Sequence, residues 1–203
     1  MNKPGIHAVT VYCSSSRGLD PAHFAAGREM GRAIAQKGWT LVYGGNYIGL
    51  MGAVADGARE GGGKVIGITP QLFIDKGLED RAADELVVAD SMRHRKQLME
   101  HRGDAFVALP GGLGTFEEIF EIIVGKQLTY HAKPIVLLNT LGYWNPLLDM
   151  IEHGVQEKFI KPSARNLYHV AVNVEDAINH LQNYTPGPLD DTWHEKSVPS
   201  GAE

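Results

Sequence analysis

The sequence predicts an α/β fold, with a doubly wound parallel sheet and helices on both of its faces. Three observations carry that expectation. Short apolar runs alternate with amphipathic stretches along most of the chain. Runs such as Phe106-Val107-Ala108-Leu109 and Ile135-Val136-Leu137-Leu138 are continuously apolar, as strands buried on both faces are. Glycine clusters stand where strands give way to helices, and repeated βα units of this kind build an open parallel sheet.

The elements follow in order. Ala8–Cys13 is the first strand. Asp20-Pro21 then supplies an N-cap with proline at the first helical position, and the helix runs to Lys37 before Gly38. Trp39–Tyr43 is a strand ending in Gly44-Gly45, and a helix covers Leu50 to Glu60, closed by Gly61-Gly62-Gly63. Lys64–Thr69 and Glu85–Ala89 are strands, followed by a helix over Ser91–Arg102. Ala105–Leu109 leads to a helix from Phe116 to Leu128. Ile135–Asn139 leads to a helix over Pro146–Lys158, and His169–Val172 to one over Glu175–Asn183. Pro70–Arg81 is a long polar connection and a candidate lid.

A chain of 203 residues suits one domain, here expected over 1–184. Residues 185–203, with Pro186, Gly187, Pro188, Pro199 and Gly201, read as a flexible tail. Hydrophobic residues at 43% and charged residues at 21% are globular values and exclude a chain disordered throughout. The formal charge of −5 argues against a nucleic-acid partner, which calls for a basic excess. No apolar run is long enough to span a membrane. Met1–Ala8 lacks the pattern of a signal peptide, and the single cysteine, Cys13, forms no internal disulfide. A cytoplasmic location is expected.

The most informative stretch runs from Leu109 through Pro110-Gly111-Gly112-Leu113-Gly114-Thr115 to Phe116-Glu117-Glu118. It joins a buried strand to an amphipathic helix. Glycines let backbone approach a ligand closely, and the amides of a helix N-terminus suit a phosphate. The competing reading is an ordinary turn. There Thr115 is the N-cap, and Thr115-x-x-Glu118 forms a capping box. Neither the Walker loop nor the GxGxxG fingerprint is present.

Met92-Arg93-His94-Arg95-Lys96 adds a second clue. At 100° per residue Arg95 falls between Leu98 and Met99, on the apolar face. A charge there needs a partner, either a carboxylate or a bound phosphate. Tyr43-Gly44-Gly45-Asn46-Tyr47-Ile48-Gly49-Leu50-Met51-Gly52 also ends a strand and opens a helix, through ligand contact or close packing. Ser14-Ser15-Ser16 end the first strand, where hydroxyls line the same crevice. Cys13 reads as a small buried residue rather than a nucleophile, having no base near it in sequence. The histidines form no HExxH or Cys/His group, so no catalytic metal is expected. Tyr143, Trp144 and Trp193 read as packing or interface aromatics.

Pro110-Gly111-Gly112-Leu113-Gly114-Thr115-Phe116-Glu117-Glu118 matches a PGGxGTxxE signature in full, and Met92, Arg95 and Lys96 match an upstream MxxRK element. With the two other glycine stretches, these residues resemble the Lonely Guy family of cytokinin riboside 5′-monophosphate phosphoribohydrolases, formerly mislabelled lysine decarboxylases. The resemblance covers residues 8–183. It implies a Rossmann-like fold, a homodimer, no metal or organic cofactor, and release of a purine base and ribose 5-phosphate from a nucleoside 5′-monophosphate. It also implies Arg95 and Glu118 as the catalytic pair, with Lys96, Gly111, Gly112, Leu113, Gly114, Thr115 and Glu117 binding substrate. Glu79 aligns, across gaps, with an acidic residue near the base pocket. The chain departs from the family at Cys13–Ser16, at Asn46 and at Val124-Gly125-Lys126, which bears on base preference. The alternative is a non-catalytic nucleotide or molybdenum-cofactor carrier on the same fold. A pyridoxal-phosphate decarboxylase is disfavoured, because no Schiff-base lysine stands out.

Overall fold

The computed structural model describes residues 5–187; Trp193 and the tail from 188 onward lie outside them. Seven parallel strands form one sheet: β1 (Ala8–Tyr12), β2 (Thr40–Tyr43), β3 (Val65–Pro70), β4 (Glu85–Ala89), β5 (Ala105–Ala108), β6 (Ile135–Leu138) and β7 (His169–Ala171). Their spatial order is β4-β3-β2-β1-β5-β6-β7. Between them run α1 (Pro21–Gln36), α2 (Gly49–Glu60), the short α3 (Gln71–Ile74), α4 (Met92–Arg102), α5 (Leu113–Gln127), α6 (Asn145–Gln156) and α7 (Val174–Asn183).

The sheet separates two cores, because successive strand side chains point to opposite faces. Val9, Val11, Ala105 and Val107 face one core with residues of α1, α2 and α7. Tyr12, Phe106 and Ala108 face the other with Met99 of α4 and Ile119 and Ile123 of α5. This is the doubly wound arrangement expected from the buried apolar runs. The Asp20 carboxylate caps α1, accepting from the amide of Ala22 at 2.8 Å, with Pro21 at the first turn. No helix among the described residues is long and apolar enough to cross a membrane.

Three expectations need correction. α5 begins at Leu113, three residues before the expected Phe116, with Gly112 as its N-cap. Thr115 therefore lies inside the first turn and caps nothing as N-cap. The segment 70–81 is anchored at its far end: Leu78 and Asp80 run beside Gly45–Tyr47, with Tyr47 N–H donating to Leu78 O and Asp80 N–H to Gly45 O, both at 2.8 Å. The buried Asp80 carboxylate accepts from the Tyr43 hydroxyl at 2.6 Å and from Arg59 Nη1 at 2.8 Å. A buried charge that has found these donors holds its backbone in place, so this half of the segment is no open lid. Finally, Trp144 is fully buried rather than an exposed interface aromatic. Its indole N–H donates to Leu138 O at 3.1 Å, and its ring packs on Phe116.

Candidate active site

β1 and β5 are neighbours, and the chain leaves them toward opposite edges of the sheet. The loops beyond their carboxyl ends therefore diverge, and open α/β sheets place ligands in the crevice that results. A cavity of about 290 Å³ lies there, lined by the loop after β1, the start of α5 and side chains of α4. The loops are tied together at their roots. Ser14 N–H donates to Pro110 O at 3.2 Å, and Leu50 N–H at the start of α2 donates to Ser14 O at 2.9 Å.

The first turn of α5 forms one wall. Its N-cap, Gly112, has no side chain, so the opening amides lack a side-chain partner at the cap. Gly111 is required by the fold, since a Cβ there would fall 2.1 Å from Thr115 Oγ1. Gly112 and Gly114 are different. Both line the cleft, neither has positive φ, and apart from the adjoining residues and the helix's own backbone no protein atom stands within 4 Å of where a Cβ would be. A glycine inside a helix costs about 1 kcal/mol relative to alanine. No side-chain packing in the fold requires the space they leave.

Opposite this turn stands Arg95. α4 buries Arg95 and Met99 on one face, as the helical spacing predicted. The Arg95 guanidinium donates from Nε to Ile68 O at 3.0 Å, from Nη2 to Gly44 O at 3.3 Å, and from Nη1 to Glu118 Oε1 at 2.8 Å. It occupies the space above Gly44, where a Cβ would meet Nη2 at 2.1 Å. Both side chains of the pair are almost withdrawn from water, at 7% and 11% exposure, and both line the cleft. The two partners foreseen for Arg95 are thus reconciled: it holds a carboxylate and faces the ligand space. Burial raises the Glu118 carboxyl above the usual carboxylate range, while Arg95 opposes that rise. Glu118 is no capping-box residue, because the helix starts too early for Thr115 to be its partner.

Not every expected residue meets the cavity. Leu113, Gly112, Gly114 and Thr115 line it, but Gly111, Lys96 and Glu117 do not. Lys96 Nζ instead donates to Glu117 Oε1 at 2.8 Å and pairs with Glu121 Oε2 at 2.9 Å, contacts that raise its pKa. Glu79 accepts from Arg81 Nε at 2.7 Å and is also absent from the lining. Cys13 does line the cleft, and burial, with Glu118 nearby, pushes its thiol far up, so it is no thiolate nucleophile. Sequence reasoning missed Phe73, carried in by α3, and the link from the Tyr143 hydroxyl to Gly111 O. Only Gly142, a turn signal just before Tyr143, hinted at the latter. Among the described residues, no group of three or more His, Cys, Asp or Glu is placed to hold a metal ion.

Fold and cleft together define a Rossmann-like α/β protein with a helix N-terminus and a buried arginine–carboxylate pair facing each other at its switch point. A family model described as "possible lysine decarboxylase" matches residues 51–181. A cytokinin riboside 5′-monophosphate phosphoribohydrolase of Mycobacterium tuberculosis is 41% identical over 177 residues, covering 86% of this chain and 92% of its own. One from Arabidopsis thaliana is 40% identical over 178 residues, 88% of this chain and 78% of its own. Among solved structures, the molybdenum cofactor carrier protein of Chlamydomonas reinhardtii matches with a TM-score of 0.65 at 26% identity, over 86% of this chain and 94% of that one. The chain belongs to the cytokinin riboside 5′-monophosphate phosphoribohydrolase family, the one described by the "possible lysine decarboxylase" model.

Proposed function

We propose that this protein hydrolyses the N-glycosidic bond of a purine nucleoside 5′-monophosphate, of adenine or an N6-prenylated adenine, giving the free base and ribose 5-phosphate. The observation that carries the reading is the Arg95–Glu118 pair beside the opening turn of α5. Gly114 and Glu118 are four residues apart, about 6 Å along a helix. That suits a ribose whose 5′-phosphate sits on the first-turn amides of Gly112–Thr115 and whose C1′ reaches the carboxylate.

In this reading the phosphate binds where amides and helix dipole favour an anion. As the bond between C1′ and the base nitrogen breaks, its electrons leave with the base and positive charge develops on the ribose. The Glu118 carboxylate stabilises that charge in a site with little water. Arg95 orients Glu118 and favours its ionised form. Water then adds to C1′, and its proton balances the departing base. Gly111 shapes the loop. Lys96 and Glu117 act from outside the cleft, tying α4 to α5 so that the catalytic pair stays face to face. The same reading places the reaction in one domain over 1–184, in a cytoplasmic homodimer, with no metal, organic cofactor, nucleic acid or membrane taking part. The names of the relatives support the reaction, and the net charge of −5 speaks against a nucleic-acid partner.

The decisive experiment incubates the pure protein with AMP and with N6-isopentenyl-AMP and detects free base by chromatography, with adenosine as the control. Release of base from a nucleotide and not from adenosine is expected. Comparable kcat/KM for AMP and adenosine overturns the phosphate assignment. A carrier role is the second reading, favoured by the likeness to the Chlamydomonas reinhardtii protein. A carrier has no use for a buried carboxylate held by arginine, and binding of a nucleotide without release of base is the result that selects it.

A further inference from the structure

The turn after β6 is strained in a way its length does not require. Leu141 and Gly142 take successive left-handed conformations, with φ of 55° and 71°. For a leucine this conformation is disfavoured, so the surroundings must hold it. Asn139 does much of the holding. Its carbonyl accepts from Gly142 N–H at 3.0 Å, its side-chain oxygen accepts from Trp144 N–H at 2.8 Å, and its amide donates to Asn145 Oδ1 at 2.8 Å. Trp144 is locked below, fully buried. The result is a fixed direction for Tyr143. Its ring stands edge-on to Trp144 at 5.3 Å and to His23 at 6.3 Å, and its hydroxyl donates to Gly111 O.

We infer that Tyr143 is a positioning residue for the phosphate-binding loop, acting as a pin that stops the Gly111–Gly112 peptide from turning over. The inference rests on the phosphate reading of the cleft. In a trans peptide the carbonyl and the following amide hydrogen point in opposite directions, and none of the described peptide bonds is cis. Holding Gly111 O against Tyr143 therefore sends the Gly112 N–H away from it, and Gly112 lines the cleft. Between two glycines the opposite orientation is accessible, since neither residue has a Cβ to forbid it. A flipped peptide presents a carbonyl oxygen where the donor should be, and a carbonyl repels a phosphate. The strained turn, remote in sequence from the loop, thus selects the anion-binding orientation.

Tyr143→Phe removes one oxygen and keeps the ring contacts. Its test is calorimetric titration with ribose 5-phosphate and with adenine, alongside AMP turnover. Ribose 5-phosphate affinity and the KM for AMP are expected to weaken about tenfold, the scale of one hydrogen bond, with kcat and adenine affinity close to wild type. Tyr143→Leu, which also loses the ring packing, lowers the melting temperature but weakens ribose 5-phosphate little further. Unchanged ribose 5-phosphate affinity in Tyr143→Phe overturns the inference. So does an equal loss for adenine, or a wild type that binds no ribose 5-phosphate. A wild type that binds ribose 5-phosphate but cleaves no nucleotide refutes the hydrolase reading alone, and the comparison of affinities still decides the role of Tyr143.

Discussion

Arg95 Nη1 lies 2.8 Å from Glu118 Oε1, and the pair is nearly sealed from solvent although one partner comes from α4 and the other from α5. Two more Arg95 donors are spent on the carbonyls of Ile68 and Gly44. The arrangement links β3, the loop after β2, α4 and α5 through one guanidinium.

Glu118→Gln is expected to act mainly on the chemistry. Loss of the carboxylate should lower kcat for AMP about 100-fold or more. Burial already favours the neutral form of Glu118, so the neutral amide should change the melting temperature little. Steady-state kinetics with calorimetry separate the two effects. A fall in melting temperature with kcat within about threefold of wild type makes Glu118 a structural residue only.

The pH profile follows from the same carboxyl. Burial raises the folded Glu118 pKa above its ordinary value. Its contribution to stability is then complete below the unfolded pKa and is lost as pH rises through the folded one. Activity runs the other way, because the ionised form is the working one. kcat/KM for AMP should climb through a midpoint above the usual carboxylate range, and Glu118→Gln should remove that limb. A limb that survives the substitution belongs to another group.

The glycines separate ligand space from fold. Gly114→Ala puts a methyl where, apart from the adjoining residues and the helix's own backbone, no protein atom lies within 4 Å, in a helix that gains about 1 kcal/mol from alanine. The variant should melt at or above the wild-type temperature and bind ribose 5-phosphate at least tenfold more weakly, the scale of a displaced hydrogen bond. Gly44→Ala drives a methyl into Arg95 Nη2 and should lose both stability and activity. A fully active Gly114→Ala would remove the phosphate from this turn.

Asp80 predicts an acid-labile anchor. Burial pushes its carboxyl up, but Tyr43, Arg59 and the amide of Ala82 outweigh that and hold it below its ordinary value. The resulting stabilisation is present above the unfolded pKa and is lost as pH falls through the folded one. Asp80→Asn should cost about 3 kcal/mol at neutral pH, and the deficit should shrink in acid. Thermal melts at neutral and acidic pH test this, and a deficit that does not change with pH refutes it.

Turnover should not depend on a divalent metal, since the α5 amides and Arg95 already supply positive charge. Activity that vanishes in EDTA and returns with added metal contradicts this.

The fold was readable because buried parallel strands write themselves as apolar runs: Phe106–Leu109 supplies most of β5, next to the central β1, and Ile135–Leu138 forms β6, one strand further out. Arg95 was readable from helical spacing, which set it beside Met99 before any partner was known. Its partner was only half legible. Helical spacing sets Glu118 away from Phe116, Ile119 and Ile123, but its meeting with Arg95 depends on how α4 and α5 pack. The start of α5 was misplaced because Thr115-x-x-Glu118 imitates a cap, whereas the real cap, Gly112, has no side chain to announce it. The family resemblance alone implies a substrate role for Lys96, and nothing local in the sequence shows that its ammonium pairs with Glu117 and Glu121. Asp80 was unreadable, one carboxylate in a polar segment without periodicity. Gly31 and Gly57 gave no signal either, yet a Cβ at either would fall about 2 Å from a backbone oxygen of the facing helix.

The register that sets Thr10 beside Phe106 has a consequence for synthesis. β1 leaves the ribosome early and can pair with β2 once that strand emerges, but its other edge waits until β5 has emerged, nearly half the chain later. Until then a nascent chain carries an apolar strand edge open to wrong partners. The crevice does not exist in that interval, because both of its walls hang on the late pairing. Ligand binding is thus a property acquired in one step when the central seam closes, and a nucleotide present during translation has nothing to hold before that moment.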